Sequence, residues 1–535
     1  MRSYYKLLFF IIASFLFSCA KKGSPIGGPK DETAPLLVVT KPLHLSKHFE
    51  ADQIKIYFDE FIVLKDLNKE LIISPPLKTP PIITPQGVAS KFIKIKLLDT
   101  LLPNTTYTFN FGDAVRDNNE GNIVEGFKYV FSTGSYIDSL KTAGSVIDGI
   151  TGKLDKNVNV LLYELDSTYK DSTFFQQKPK YVAKTIDSVH FNFENIKEGK
   201  YFLMALEEEN SDYLFDPKKD KLGFLLDTIA LPKDSVLSKN LVLFKEKTPY
   251  KFKRGKEIKK GRIAFGYEGE PEDMMVKLIS KVPDSFRAYS RFEMGKDTLN
   301  YWYTPIEGID SLNFVVTQKN IVDSTTVKLK KKKLDSLAIS SSVKGVLHLR
   351  DTVFINTNNP INQYDKDKFL FISDSLPVTY TLIKHKVNQL ALLFDKKQDK
   401  KYTFTHLPNA IVDLYNTSVK DTLVYNFSTK NNEDYGSINL KVNSSNDTNI
   451  IIELLVSNKV LRRSFINKEK IDEPISFDLL EPNTYTIRAI LDSNNNNRWD
   501  TGNFLSKIQP EKIIVFDKEL ELRANWILNE QFTIE

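Results

Sequence analysis

Cysteine is nearly missing from this chain: among 535 residues there is one, Cys19. A single thiol excludes an intramolecular disulfide and a thiolate metal centre, and beyond residue 19 it excludes a cysteine nucleophile, so the body must be held by packing. Histidine is scarce too. His44, His48, His190, His348, His385 and His406 are scattered; His44 and His48 stand four apart, but helical spacing in β-rich surroundings points to no shared metal. After the first residues no apolar run approaches the roughly 20 that a membrane-spanning helix requires. His-Glu-x-x-His, Gly-x-Ser-x-Gly, a phosphate-binding Gly-rich loop and a dinucleotide fingerprint are absent, which argues against an enzyme of those classes. Carboxylate pairs of the glycosidase kind leave no such trace, because their partners meet only in the fold.

What is present begins at the N-terminus. Arg2 and Lys6 precede an apolar run from Leu7 to Ala13, then Ser14 and Phe15 to Phe17. A charged start and a short apolar stretch read as an export signal, too short to span a bilayer. The Leu16-Phe17-Ser18-Cys19 sequence then resembles the lipobox of bacterial lipoproteins, although Phe17 stands where a smaller residue is commoner. That resemblance implies removal of residues 1–18, acylation of Cys19 and attachment to a lipid bilayer through it. One acyl chain anchors only marginally, whereas the several chains carried by that family suffice. Ala20, with no acidic run beside the cysteine, implies the outer membrane, its face left open.

The segment 19–35 is rich in Gly and Pro and reads as a tether. Arg2 and Lys6 account for two of the six net positive charges, leaving +4 from Cys19 onward, spread among abundant Lys, Asp and Glu. That is no nucleic-acid signature. A chain this long exceeds one hydrophobic core, so several domains are expected.

The fold class expected is all-β: a multi-domain string of β-sandwiches behind the signal peptide. Over 36–135, strands are predicted at Ile54 to Phe58, Glu70 to Ser74, Phe92 to Leu97, Tyr107 to Phe111 and Lys128 to Ser132. In Phe92-Ile93-Lys94-Ile95-Lys96-Leu97, period-2 alternation turns the isoleucines inward and the lysines to water. With the Leu102 to Tyr107 turn, the Asp117 loop and Phe131-Ser132-Thr133, this stretch resembles the SbsA-type bacterial immunoglobulin-like domain, which implies a spacer or interaction module without catalysis. Residues 141–245 change cadence: Gly144 to Gly149, an alternating strand at Asn157 to Tyr163, Phe191 to Ile196 and Gly199 to Leu203 resemble the transthyretin-like or carboxypeptidase-regulatory-like sandwich. A third β domain is assigned to 250–335, with strands at Arg262 to Tyr267, Met274 to Leu278, Leu299 to Tyr303 and Leu312 to Thr317. It ends in the basic run Lys328 to Lys333, read as a solvated edge strand or linker.

Then the chain repeats itself. Leu370-Phe371-Ile372-Ser373, Tyr402-Thr403-Phe404 and Phe427-Ser428-Thr429 follow the order of Leu71 to Ser74, Tyr107 to Phe109 and Phe131 to Thr133, making 345–430 a second immunoglobulin-like copy. Phe477 to Ala489 parallels Phe193 to Ala205, making 436–535 a second transthyretin-like copy.

One constellation suggests a cofactor. Asp492, Asn494, Asn496 and Asp500 place side-chain oxygens at positions 1, 3, 5 and 9, the spacing with which EF-hand-like loops wrap Ca²⁺, with Asn497 at the turn and Asn503 where a bidentate glutamate belongs. Two carboxylates imply weak, structural Ca²⁺, with affinity of about 10⁻⁴ to 10⁻³ M. Glu208, Asn210, Asp212 and Asp216 repeat the offsets in the earlier copy, with Tyr213 and Lys219 as departures. The competing reading is that Asx side chains close a tight loop on their own backbone.

The expectation is therefore a non-catalytic envelope lipoprotein with a structural or protein-interaction role and an envelope protein as partner. One alternative is a glycan-binding surface lipoprotein using Trp302 with Tyr301 and Tyr303, or Trp499. The others are an accessory subunit of an outer-membrane assembly and a hydrolase.

Overall fold

The computed structural model describes residues 31–154, 158–185, 189–235, 239–330, 332–445, 447–467 and 473–534; the signal segment and Cys19 lie outside them. The described chain is built almost entirely of β-strands, paired mostly antiparallel in two-sheet sandwiches. Five apolar cores, one per module, follow each other along the sequence. No helix among the described residues is long and apolar enough to cross a membrane.

The first module shows how the alternation works. Ile93 and Ile95 are fully buried between the sheets while Lys96 is exposed, and their strand, Ser90–Lys96, lies between Gln53–Leu64 and Ile82–Thr84. Ile72–Ser74, Thr106–Asn110 and Lys128–Ser132 form the facing sheet. The predicted strand at Glu70 begins two residues later, because Leu67–Glu70 closes into one helical turn first. Leu37–Lys41, Ile82–Thr84 and Val115–Asp117 were not predicted; each is short and acquires strand geometry from the neighbour it pairs with.

The fourth module has the same strand order. Ile339–Ser341, Val353–Thr357, Gln389–Phe394 and Tyr380–Lys386 stand in one sheet, and Leu423–Ser428, Lys401–His406 and Phe369–Ser373 in the other. Even the parallel contact recurs, as Gly345 against Phe427 here and Ser46 against Phe131 there.

The second and fifth modules share another plan. In each, one sheet ends in a strand parallel to the module's first: Lys239–Leu243 along Leu140–Asp148, and Ile527–Ile534 along Gly436–Ser444. The facing sheets run Tyr181–Lys184, Asn159–Glu164, Gly199–Glu207, Lys221–Phe224 and Lys459–Ile466, Asn449–Val456, Asn483–Asp492, Ile513–Val515. One prediction fails here. Instead of alternating, Val160, Leu161, Leu162 and Tyr163 are all buried, because the sheet is covered on both faces. Val160 and Leu162 face the module's own core, and Leu161 and Tyr163 face a separate apolar cluster.

That cluster joins modules distant in sequence. It gathers Phe174, Phe202, Phe215, Phe224 and Phe244 of the second module around Phe504 of the fifth, with Ile72 of the first at its margin. Further along, Tyr415 donates its hydroxyl to the Gly261 carbonyl at 2.6 Å, tying fourth to third, and the His348 Nε2–H meets the Leu479 carbonyl at 2.9 Å, tying fourth to fifth. The string of sandwiches thus closes on itself from second to fifth module, with the first attached outside that circuit.

Candidate functional site: the joint between the second and fifth modules

After strand Asn483–Asp492 the chain leaves its sheet for a polar loop. Asp492 is buried and opens it: its carboxylate accepts the backbone N–H groups of Asn496 at 3.1 Å and Asn497 at 2.9 Å. Asn495 and Asn497 take the left-handed conformation, φ 58° and 61°, which asparagine tolerates better than most residues. The Asn494 side-chain oxygen accepts the Asn496 N–H at 3.1 Å, completing an Asx turn.

Asp500 is held by other donors. Asn494 gives it an amide N–H at 2.7 Å, Asn496 gives another, and Lys247, between the second and third modules, pairs with it at 2.9 Å. Burial alone would raise its pKa, but the Asn494 amide, Lys247 and the Asn496 amide outweigh it and hold the carboxyl down at about 2. Set against the six to eight converging oxygens that Ca²⁺ takes, this donor set does not fit. Two amide nitrogens and an ammonium occupy the approach to Asp500, and Asn503 turns its oxygen to the Ser506 N–H. No group of three or more His, Cys, Asp or Glu able to hold a metal exists among the described residues. The structure therefore brings Asp492, Asn494, Asn496 and Asp500 together, as a loop closed by its own hydrogen bonds.

The loop lies across another module. Thr501 donates its hydroxyl to the Lys245 carbonyl at 2.7 Å, and the Phe504 N–H donates to Glu246 at 2.6 Å. Gln509 reaches the Phe224 carbonyl at 2.8 Å, Lys507 pairs with Asp171 at 2.8 Å, and Arg498 pairs with Glu272 of the third module. Between these polar ties Phe504 is fully buried, its ring 4.3 Å from that of Phe174, 5.3 Å from Phe224 and 5.7 Å from Phe202, each contact edge-on. Burying such a side chain contributes about 1.5–3 kcal/mol.

A second tie lies nearby. Glu453, buried, accepts Arg488 Nε–H at 2.6 Å and Arg463 Nε–H at 2.7 Å, and Arg488 also donates to the Ile150 carbonyl of the second module at 3.0 Å.

The earlier loop supplies the other half of the joint. The Glu208 carboxylate accepts the backbone N–H groups of Asp212 at 3.0 Å and Tyr213 at 3.1 Å, and Asp212 accepts that of Leu214 at 2.9 Å. Phe215, next in the chain, stacks on Phe174 at 5.2 Å. Burial pushes the Glu208 carboxyl up to about 7, against the lowering from those backbone donors. Asp216 accepts the Lys218 N–H at 3.0 Å, while Asn210 is exposed.

The aromatic-platform residues are elsewhere. Trp302, Tyr301 and Tyr303 are buried at 2%, 7% and 1% exposure, and Trp499 is half-buried at the joint with its indole N–H on the Glu511 carbonyl at 3.0 Å. Tyr301 and Tyr303 point into the third module's core, and Trp302, on the other face of the same strand, lies under the Arg262 guanidinium, 5.1 Å from its ring. His44 and His48 share no ligand: the His44 Nδ1 accepts the Val130 N–H at 3.2 Å, and His48 is exposed.

Sequence reasoning missed Phe504, Phe174, Phe215, Lys247 and the Glu453–Arg488 pair. The signal available was the unbroken apolar run Tyr201-Phe202-Leu203-Met204-Ala205-Leu206, since a strand apolar on both faces must be covered on both.

Comparison with known proteins places the first module. Residues 31–133 match the family model of a bacterial Ig-like domain. No curated protein matches the chain. Among solved structures, titin domains A168–A170 align at 12% identity over 46% of this chain and 93% of that one, with a TM-score of 0.14. Domains 1–6 of the surface layer protein SbsC align at 12% identity over 92% and 68%, with a TM-score of 0.15.

Proposed function

We propose that this protein is a lipid-anchored envelope component that works by geometry: β-sandwich modules, tied to the outer membrane through acylated Cys19, hold an interaction surface for another envelope protein. Anchoring is supported by the signal segment and the lipobox-like Leu16 to Cys19. The observation that carries the scaffold reading is the closure of the module string by Phe504 in the second module's aromatic cluster, a fixed joint of the kind a positioning role needs. The second and fifth modules, alike in strand order and parallel closing strand, are read as transthyretin-like. Ca²⁺ has no part in this reading, since the donors around Asp500 do not fit it.

The test is fractionation with partner capture. The acylated protein should sediment with outer membranes and, after detergent extraction, copurify with a defined envelope protein. Cys19→Ala should release it from the membrane. Recovery of the protein alone, or Cys19→Ala protein that stays membrane-bound, would overturn the proposal.

A further inference from the structure

The second module packs against the first module's sheet that holds Ile72–Ser74, where Ser74 accepts the Val182 N–H at 3.1 Å. The outer face of the other sheet is solvated, with Lys41, Ile82, Phe92 and Lys96 exposed. Because Ile54, Ile56, Ile93 and Ile95 point into the core, the residues alternating with them point outward. Lys41, Lys55 and Lys94 stand in register across three neighbouring strands of that outer face, and Lys96 follows two residues after Lys94. Side chains so opposed lie only about 4.5–5.5 Å apart at Cβ, and like charges there repel.

Within the protein nothing offsets that repulsion. Lys41, Lys55, Lys94 and Lys96 form no ion pair among the described residues, and the Asp59 carboxylate, two residues beyond Tyr57, accepts the Leu36 N–H at 2.8 Å. Lysine guards sheet edges against pairing, but that explains Lys41 alone, since Lys55 and Lys94 belong to the inner strands Gln53–Leu64 and Ser90–Lys96. Next to the row, the rings of Tyr57 and Phe92 lie 5.6 Å apart, and the Lys55 ammonium stands 5.9 Å over Phe92. Lysine interleaved with exposed aromatic side chains suits a membrane–water interface with anionic headgroups. The path of the chain agrees: Leu37–Lys41 is the edge strand of this same sheet, and residues 19–30, between Cys19 and the first described residue, can span at most about 40 Å.

We infer that the outer face of this sheet lies on the bilayer surface, with Lys41, Lys55, Lys94 and Lys96 meeting anionic lipid headgroups and Phe92 and Ile82 resting at the interface. The first module is then a membrane-facing base, and the second module rises from its opposite sheet. The inference rests on the anchoring reading above and names the lipid chemistry that the protein meets beyond its acyl chains.

The test is cosedimentation of the chain from residue 19 onward, carrying Cys19→Ala so that no acyl chain contributes, with vesicles of phosphatidylglycerol and phosphatidylcholine in equal parts or of phosphatidylcholine alone. It should bind the anionic vesicles, bind the neutral ones far less, and let go as added salt screens the charges. Lys41→Gln/Lys55→Gln/Lys94→Gln should weaken binding about a hundredfold, since each lysine near an anionic surface contributes about fivefold. Lys94→Gln alone should cost about fivefold and serves if the triple variant does not fold. Lys344→Gln/Lys366→Gln/Lys420→Gln, exposed lysines of the fourth module, changes net charge equally and should bind like the parent. Equal binding to both vesicles, no binding, or binding unchanged by the Lys41, Lys55 and Lys94 substitutions would overturn the assignment. If binding depends on those lysines but membrane-extracted protein carries an unacylated Cys19, the anchoring reading fails and the lipid-facing sheet stands. If Cys19 is acylated and the triple variant binds like the parent, only the lipid-facing assignment fails.

Discussion

The ring of Phe504 stands edge-on to that of Phe174, 4.3 Å between centroids and 70° between planes, although the two belong to modules separated by two others in the chain. Polar ties from Thr501, the Phe504 N–H, Lys507 and Gln509 to the second module and the linker after it flank that one side chain. Phe504→Ala removes a buried aromatic at a cost of about 3–5 kcal/mol, and the loss falls on the joint rather than on a module core. Small-angle scattering should show a larger radius of gyration with an unchanged far-ultraviolet spectrum, and protease should cut within 493–512. An unchanged scattering curve would mean that the surrounding ion pairs hold the joint alone.

Glu453 gives a sharper contrast. It sits between Arg463 and Arg488 with its side chain 2% exposed, so Glu453→Ala strands the largely buried guanidinium of Arg488 and should destabilise by about 3–5 kcal/mol. Replacing Glu453 and Arg488 together by methionine should be far milder, because the one partner left behind, Arg463, has its side chain half exposed to water. Calorimetry on both variants decides it; equal losses would contradict the electrostatic account.

Glu208 sets a pH dependence. Its carboxyl is raised from the ordinary 4.5 to about 7 by burial, so between those values the folded state holds a proton that the unfolded chain has released. Stability contributed by this group is full below about 4.5 and declines as pH rises to about 7. Glu208→Gln should flatten that decline, read as the melting temperature of the second module's transition, where each kcal/mol moves Tm by roughly 4–8 °C for a module of this size. A parallel slope in the variant would remove Glu208 as the cause.

For the Asp492 loop, the melting temperature should be the same in millimolar Ca²⁺ and in EDTA, since Asp500 already has Lys247 and two amides as partners. A calcium-dependent rise of several degrees would show that the cation displaces them.

How far the sequence disclosed this can be followed residue by residue. Ile93 and Ile95 announced their strand because one face of it is solvated, and the order shared by Tyr402 and Phe427 with Tyr107 and Phe131 announced the repeat because a sandwich core demands the same residues at the same turns. The 492–500 oxygens announced a closed loop but not its purpose, since Asx turns and cation loops use the same side chains. Phe504 was illegible: a lone aromatic in a polar loop acquires its meaning from Phe174 and Phe224, and only tertiary packing brings those to it.

The account as a whole stands on Cys19, and mass spectrometry of the protein extracted from membranes tests it most directly. The N-terminal peptide should begin at Cys19 and carry fatty-acyl mass, with residues 1–18 gone. A peptide running intact through Ser18 and Cys19, or a free Cys19 thiol, would contradict it.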